Sequence, residues 1–320
     1  LALIISERLY EEIDLAFARS NNQTLRFSAI AGLLFAAIIS LVLTMNITGP
    51  IRKLGRGTRS LISGEFKTRV SIQNRDELGK LSRDFNILAK TLDKNSESQK
   101  QWLADISHEL RTPIAILKSE LEAVEDGIRE FDKETLQSLT HEVKRINNLV
   151  NDLYELTLAD LGAMKYQMRE MNIGSCLKEV IESYRDRLES SEIEIKELID
   201  TEGAFLGDSY RLEQLFTNLI ENTLRYTDSP GKLEIQLKEN KEDILITFSD
   251  SEPGVDPDVM DKVFDRFFRE ELSRSREKGG AGLGLAICHE IVEAHSGKIK
   301  ATKSEHGGLS IEISLPKGDT

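Results

Sequence analysis

Three hydropathy regimes follow one another along the chain. Phe27–Met45, FSAIAGLLFAAIISLVLTM, is apolar on every face and carries no charge. A helix over it rises about 28 Å, close to the hydrocarbon thickness of a bilayer, so residues 27–47 are predicted to span a membrane. Ahead of it, LALIIS predicts a strand and ERLYEEIDLAFAR a short amphipathic helix. Beyond it the pattern turns heptad-like. Pro50 opens a helix with Ile51, Leu54, Thr58 and Leu61 on one seam, and Ser63-Gly64 stops it. Val70 and Ile72 alternate in an extended connector, and Leu78, Leu81, Phe85, Leu88 and Leu92 form a second seam. Two short helices with such narrow seams cannot bury them alone, which predicts a parallel coiled coil of two chains over 48–94.

The seam then becomes polar at Asn95 and Gln99 before apolar residues resume at Trp102, Leu103 and Ile106. Polar seam positions favour switching between packings, so this stretch is the expected transmission joint. Two longer amphipathic helices, about Lys94–Gly127 and Asp132–Asp160, are predicted to form an antiparallel hairpin. Two such hairpins make a dimeric antiparallel four-helix bundle over 95–161. Residues 162–171 read as a linker. From 172 to 317 strand signals (193–198, 203–206, 233–237, 244–248, 298–301, 309–315) mix with helical ones (177–188, 210–225, 286–294). That mixture predicts an α/β sandwich. The expected architecture is therefore multi-domain.

Charge sharpens this division. The 320 residues carry a net charge of −13, spread unevenly. Residues 1–50 hold 3 basic and 4 acidic side chains, 51–94 hold 11 and 5, and 95–320 hold 28 and 46. The 15 residues before the span contain Arg19 and Arg26; the 15 after it contain Arg52, Lys53, Arg56 and Arg59. That excess places everything after the span in the cytoplasm. Residues 1–26 then read as the remnant of an extracytoplasmic region. The acidic balance argues against a nucleic-acid partner. Cys176 and Cys288, far apart and cytosolic, are expected to be reduced packing residues.

Four strings carry candidate chemistry. In Ser107-His-Glu-Leu-Arg-Thr-Pro113, His108 lies one position off the apolar face and should be exposed. A neutral imidazole there is a nucleophile, and the adjacent Glu109 can accept its other ring proton. Thr112 follows one turn later, and Pro113 should kink the helix. In Asn218-Leu-Ile-Glu-Asn222-Thr-Leu-Arg225-Tyr226, Asn218 and Asn222 share a helix face, and amide oxygens suit Mg²⁺. Asp250-Ser-Glu-Pro-Gly254 closes a strand. Phe264-Asp-Arg-Phe267-Phe268-Arg269 leads through a polar stretch to Gly279-Gly280-Ala-Gly282-Leu283-Gly284 at a helix start, where backbone N–H groups can cradle phosphate. Arg266, Arg269, Arg274, Arg276 and Lys278 can add positive charge there. His141, His289, His295 and His306 lack partners at ligand spacing and read as structural or surface residues.

GPIRKL…GEF…DELGKLSRDFN resembles a HAMP relay module, and HELRTP resembles the H-box of bacterial sensor histidine kinases. The asparagine string resembles the N-box of GHKL ATPases, the Asp250 string a G1-box, and the last pair an F-box, ATP lid and G2-box. ENTLRYTD and FFR…GGAGLGLAI look most similar to the envelope-stress branch. The resemblance implies a Bergerat-type ATPase domain, ATP and Mg²⁺ as cofactors, and a homodimer in the inner membrane. Its further implication is a response-regulator partner, of OmpR-like class. It makes His108 the phosphoacceptor, Glu109 its base and Thr112 the positioning group for a phosphatase reaction. It assigns Asn222 to the metal. Asn218, Arg225, Tyr226, Asp250, Gly254, Phe267, Arg269, Gly280, Gly282, Leu283 and Gly284 join Asn222 in ATP binding, with Asp250 accepting from the adenine amino group. One departure stands out: Glu252 replaces the first G1-box glycine and is expected to put a negative charge at the nucleotide rim. Competing readings are a chaperone- or topoisomerase-type ATPase, a receptor silenced by Glu252, and a structural coiled-coil protein. Only a sensor kinase accounts for all four strings.

Overall fold

A computed structural model describes residues 2–72, 76–200, 204–269 and 281–317, with side chains described from residue 21 except that of Gln23. Two compact units, Leu1–Gln101 and Trp102–Thr320, divide the chain.

In the first unit α1 runs over Ala2–Leu43, passes through one π-helical turn at Thr44–Thr48, and continues into α2, Gly49–Ile62. Of the strand expected over LALIIS, Ala2–Ser6 are thus helical, and Leu1 lies outside the described residues. Leu and Ala favour helix, and no neighbouring strand is present among the described residues to pair with it. The apolar stretch is exposed along its length, and it belongs to a helix long and apolar enough to cross a membrane. A Schellman pair of hydrogen bonds ends α2: Gly64 N–H donates to Leu61 and Glu65 N–H to Ser60, with Gly64 at φ +86°. The chain then returns toward α3, Glu77–Glu125. Leu54, Leu61, Val70, Phe85 and Ala89 form a small core between α2, the connector and α3. Gly57 makes the approach possible, because a Cβ there would lie 2.8 Å from the Phe85 ring. The Asn86 amide clips the connector by accepting from Val70 N–H and donating to Val70 C=O, both at 2.8 Å.

Two helices expected to be separate are one in α3, which runs uninterrupted past Asn95, Gln99 and Pro113. In the second unit, the end of α3 pairs with α4, Lys133–Asp160. Asp132 caps α4 by accepting from Thr135 N–H at 2.8 Å. Ile114, Leu121, Val143 and Val150 stay exposed in the single chain, as they must on half of a bundle. Within the expected linker, Arg169–Asn172 forms β1, paired antiparallel with β3, Ala204–Gly207. Four residues without alternation gave no strand signal.

The remaining elements are α5 (Ile173–Ser190), β2 (Ile193–Ile199), α6 (Ser209–Tyr226), β4 (Gly231–Glu239), β5 (Asp243–Ser251), α7 (Gly284–Ala294), β6 (Lys298–Lys303) and β7 (Gly307–Pro316). The sheet order is β2-β4-β5-β7-β6, with β2 parallel to β4 and every other pair antiparallel. Alternate residues of β4, β5 and β7 are buried against Leu212, Leu215, Phe216, Ile287 and Ile291 of the helices. Leu149 and Leu156 of α4 enter this same core. Each buried leucine contributes about 1.5–3 kcal/mol, so the hairpin is packed onto the sandwich rather than merely tethered to it.

Candidate functional site

A cavity of about 1030 Å³ opens between α4, α6, the end of β5 and the start of α7. Asn218, Asn222, Arg225 and Tyr226 enter it from α6. Asp250 and Gly254 enter from β5 and the turn beyond, Arg269 from the FDRFFR string, and Gly282, Leu283 and Gly284 from the start of α7. Four motifs distant in sequence thereby meet around one space.

Asp250 is 8% exposed and accepts a hydrogen bond from Leu309 N–H at 2.6 Å. Burial pushes its carboxyl up to about 6, and the hydrogen bond from Leu309 N–H only partly offsets that rise. Thr227 Oγ1 is itself buried without a hydrogen-bond partner. An acceptor and an orphaned hydroxyl at a cavity wall suit a flat polar ring that offers both donors and acceptors. The backbone crowds here: a Cβ on Gly308 would lie 2.3 Å from Asp250 Oδ1. Gly282, at φ +68°, would bring a Cβ to 2.8 Å from the Phe268 carbonyl, so glycine is required on both counts. Gly284 begins α7, whose N-terminal N–H groups and dipole favour an anion. Asn218 Nδ2 donates to the Gly284 carbonyl at 3.4 Å and ties α6 to that terminus.

Several expected site residues lie elsewhere. Phe267 packs against the core behind the cavity, at φ +60°, and its N–H donates to Gly282 C=O at 2.9 Å. It supports the glycine turn instead of facing the cavity. Arg266 also faces away. It binds Asp160 of α4 through two hydrogen bonds of 2.6 and 2.7 Å and lies 6.0 Å over the Trp102 ring. The side chain of Glu252 lies over Gly307 and is exposed, outside the cavity lining. Its φ is not positive, so a side chain is accommodated without strain. The negative charge expected at the rim is therefore displaced from it. Gly280, Arg274, Arg276 and Lys278 lie outside the described residues.

His108 is exposed and does not line the cavity, whereas the half-buried Glu109 does. Thr112 is exposed, and its hydroxyl donates to the His108 carbonyl at 3.4 Å. What motif reading missed is α4. His141, Lys144, Arg145, Asn148, Asn151, Asp152 and Glu155 line the cavity at helical spacing, so His141 is a cavity residue. Glu155 pairs with Arg211 at 2.7 Å and also accepts from Gln214. Burial pushes Asp152 up to about 6; Glu155 adds to the rise and Arg225 opposes it.

Comparison with known proteins follows these boundaries. Residues 207–319 match the family of histidine kinase-, DNA gyrase B- and HSP90-like ATPases. Residues 98–162 match the His Kinase A phospho-acceptor domain, and 42–94 the HAMP domain. The signal transduction histidine-protein kinase BaeS of Escherichia coli (strain K12) is 44% identical over 310 residues, covering 97% of this chain and 66% of that protein. AfsQ2 of Streptomyces coelicolor is 30% identical over 314 residues, covering 92% and 57%. The chain thus spans no more than about two thirds of these relatives. Among solved structures, the Acinetobacter baumannii histidine kinase AdeS superposes with a TM-score of 0.58 at 27% identity, covering 66% of this chain and 98% of that one. Histidine kinase ThkA, solved in complex with the response regulator TrrA, shares the fold (TM-score 0.52, 24% identity, 70% of this chain and 64% of that one).

Proposed function

The chain belongs to the sensor histidine kinases, and from that premise we propose that it binds Mg²⁺-ATP in the cavity, phosphorylates its own His108, and passes the phosphoryl group to an aspartate of a response regulator. The observation that carries this reading is the sharing of one cavity by Glu109, next to the phosphoacceptor, and by the N-box, G1-box and G2-box residues.

In this reading Asp250 accepts from the adenine amino group, and Thr227 Oγ1 gains the partner it lacks. Gly282, Leu283 and Gly284 present the α7 N-terminus to the phosphates. Asn222 would hold Mg²⁺ through its amide oxygen, and the ion would neutralise phosphate charge there. Among the described residues no group of three His, Cys, Asp or Glu could hold a metal, so the amide of Asn222 is the group that would hold one here. The Nε2 lone pair of His108 attacks the terminal phosphorus as the bond to the β-phosphate oxygen breaks. The Nδ1 proton moves to Glu109, and ADP carries the leaving charge. Because the phosphoryl group is loosely bonded at the transition state, positioning and charge neutralisation supply most of the rate. His108 stands in solvent, where a second protein can reach it, and the partner is a regulator of OmpR-like class. Thr112, one turn beyond, would orient water for the reverse, phosphatase reaction. Residues 27–47 anchor the homodimer in the inner membrane.

The placement of Glu252 away from the cavity favours an active kinase over a silent receptor. The full chain in nanodiscs should incorporate ³²P from [γ-³²P]ATP, and His108→Gln should abolish labelling. Retained label in that variant would refute the phosphoacceptor assignment.

A further inference from the structure

Resting on the nucleotide reading above, we propose that Lys144, on α4 of the hairpin, is a substrate-contacting residue whose ammonium binds the terminal phosphate of ATP held by the same chain. No motif marks this position, and three observations converge on it.

The first is the wall. The cavity is closed on one side by α4, whose Leu149 and Leu156 are buried in the sandwich core. The ion pairs Glu155–Arg211 and Asp160–Arg266 also fasten α4 to the sandwich, at 2.7 and 2.6 Å. Lys144 lies one turn before Asn148 and just over two turns before Asp152, and all three side chains line the cavity. Glu109 of α3 lines it too, so this wall is the one beside the phosphoacceptor.

The second is charge. Six carboxyl-bearing side chains line the cavity, a poor setting for a polyphosphate. Its other cations are engaged. Arg145 has Glu142 at 3.9 Å, Arg225 is flanked by Asp152 and Glu221, and Arg269 makes interactions of its own.

The third is availability. Among the described residues Lys144 has no ion pair or hydrogen bond from its ammonium, and it is exposed to the cavity. A flexible stem with an uncommitted point charge can follow a phosphoryl group as it moves. Lys144 forms no covalent bond. It neutralises charge on the transferring oxygens while the phosphorus–oxygen bond to ADP breaks. Glu109 and Lys144 belong to the chain that holds the nucleotide, so the contact is made within one chain.

The test uses the full chain in nanodiscs, with ATP and ADP affinities measured beside KM and kcat. Lys144→Gln is expected to weaken ATP about tenfold, as for loss of one charged hydrogen bond, and to leave ADP binding unchanged. Lys144→Arg should restore most of the loss. In mixed dimers with one Asn222→Ala chain, Lys144→Gln should lower labelling only when placed in the chain with Asn222 intact. Equal weakening of ATP and ADP, no change in either, or an effect that follows the Asn222→Ala chain would overturn the proposal while leaving the kinase reading in place. Wild-type protein that binds neither nucleotide would overturn both.

Discussion

Asp250→Asn should stabilise the ATPase domain while removing its nucleotide affinity, because the buried carboxylate is held for the ligand at the expense of the fold. Burial raises this carboxyl from 3.8 to about 6, roughly two units. Each unit is about 1.4 kcal/mol, so ionised Asp250 costs the fold up to about 3 kcal/mol at neutral pH. The sign follows from linkage. A raised folded pKa gives a contribution present below 3.8 and lost as pH rises through about 6. Asparagine keeps an oxygen for Leu309 N–H, offers its amide to the orphaned Thr227 Oγ1, and does not titrate. The stability difference between variant and wild type should therefore be small at pH 4, rise through pH 4–6 and level off above about 6.5. At about 2–4 °C per kcal/mol, the plateau corresponds to a rise of roughly 6–12 °C in the Tm of this domain. Calorimetry of the full chain across pH 4–8 measures it, and titration with a fluorescent ADP analogue measures the lost affinity. A Tm difference that does not depend on pH, or that favours the wild type at pH 7.5, would refute the reasoning.

Other perturbations probe separate parts of the argument. Gly308→Ala should cost about 1–3 kcal/mol and abolish nucleotide binding, because the new Cβ would lie 2.3 Å from Asp250 Oδ1; urea unfolding with wild-type stability would contradict the close approach. Burial lowers the His295 pKa, where neutral Nε2 accepts from Asp208 N–H at 3.0 Å. This contribution is complete above 6.5 and is lost as pH falls below it, so His295→Gln should flatten the acid-side decline in stability; an unchanged pH profile would sink that claim. Asn95→Leu with Gln99→Leu should change the autokinase rate in nanodiscs by roughly fivefold or more, about 1 kcal/mol between packings. An unaltered rate removes these residues as a transmission joint.

The motifs were legible because each is local. HELRTP, the two asparagines one turn apart and the glycine run before α7 need only their own helix or turn to be recognised. The alternating strands β4, β5 and β7 showed themselves by period, since one face of each is buried. Less local features were read incorrectly. Arg266 looked like a nucleotide-binding charge, and its commitment to Asp160 spans 106 residues. Glu252 looked like a charge at the rim, until Gly307, from another strand, gave its side chain a place to lie. His141 read as a structural or surface residue and Lys144 carried no signal, because nothing in the repeat of a helix says which polar stripe meets another domain.

From its residues alone the chain disclosed a helix long and apolar enough to cross a membrane, a HAMP-like helix pair, a phosphoacceptor hairpin and an ATPase sandwich, since hydropathy period and short strings report local geometry directly. Only the tertiary structure decided that α4 forms a wall of the nucleotide cavity and that Glu109 of the same chain reaches it. The physical reason is that the face of α4 that meets the sandwich is set by long-range burial of Leu149 and Leu156 and by the ion pairs of Glu155 and Asp160. Those contacts join residues whose separation along the chain leaves no periodic trace.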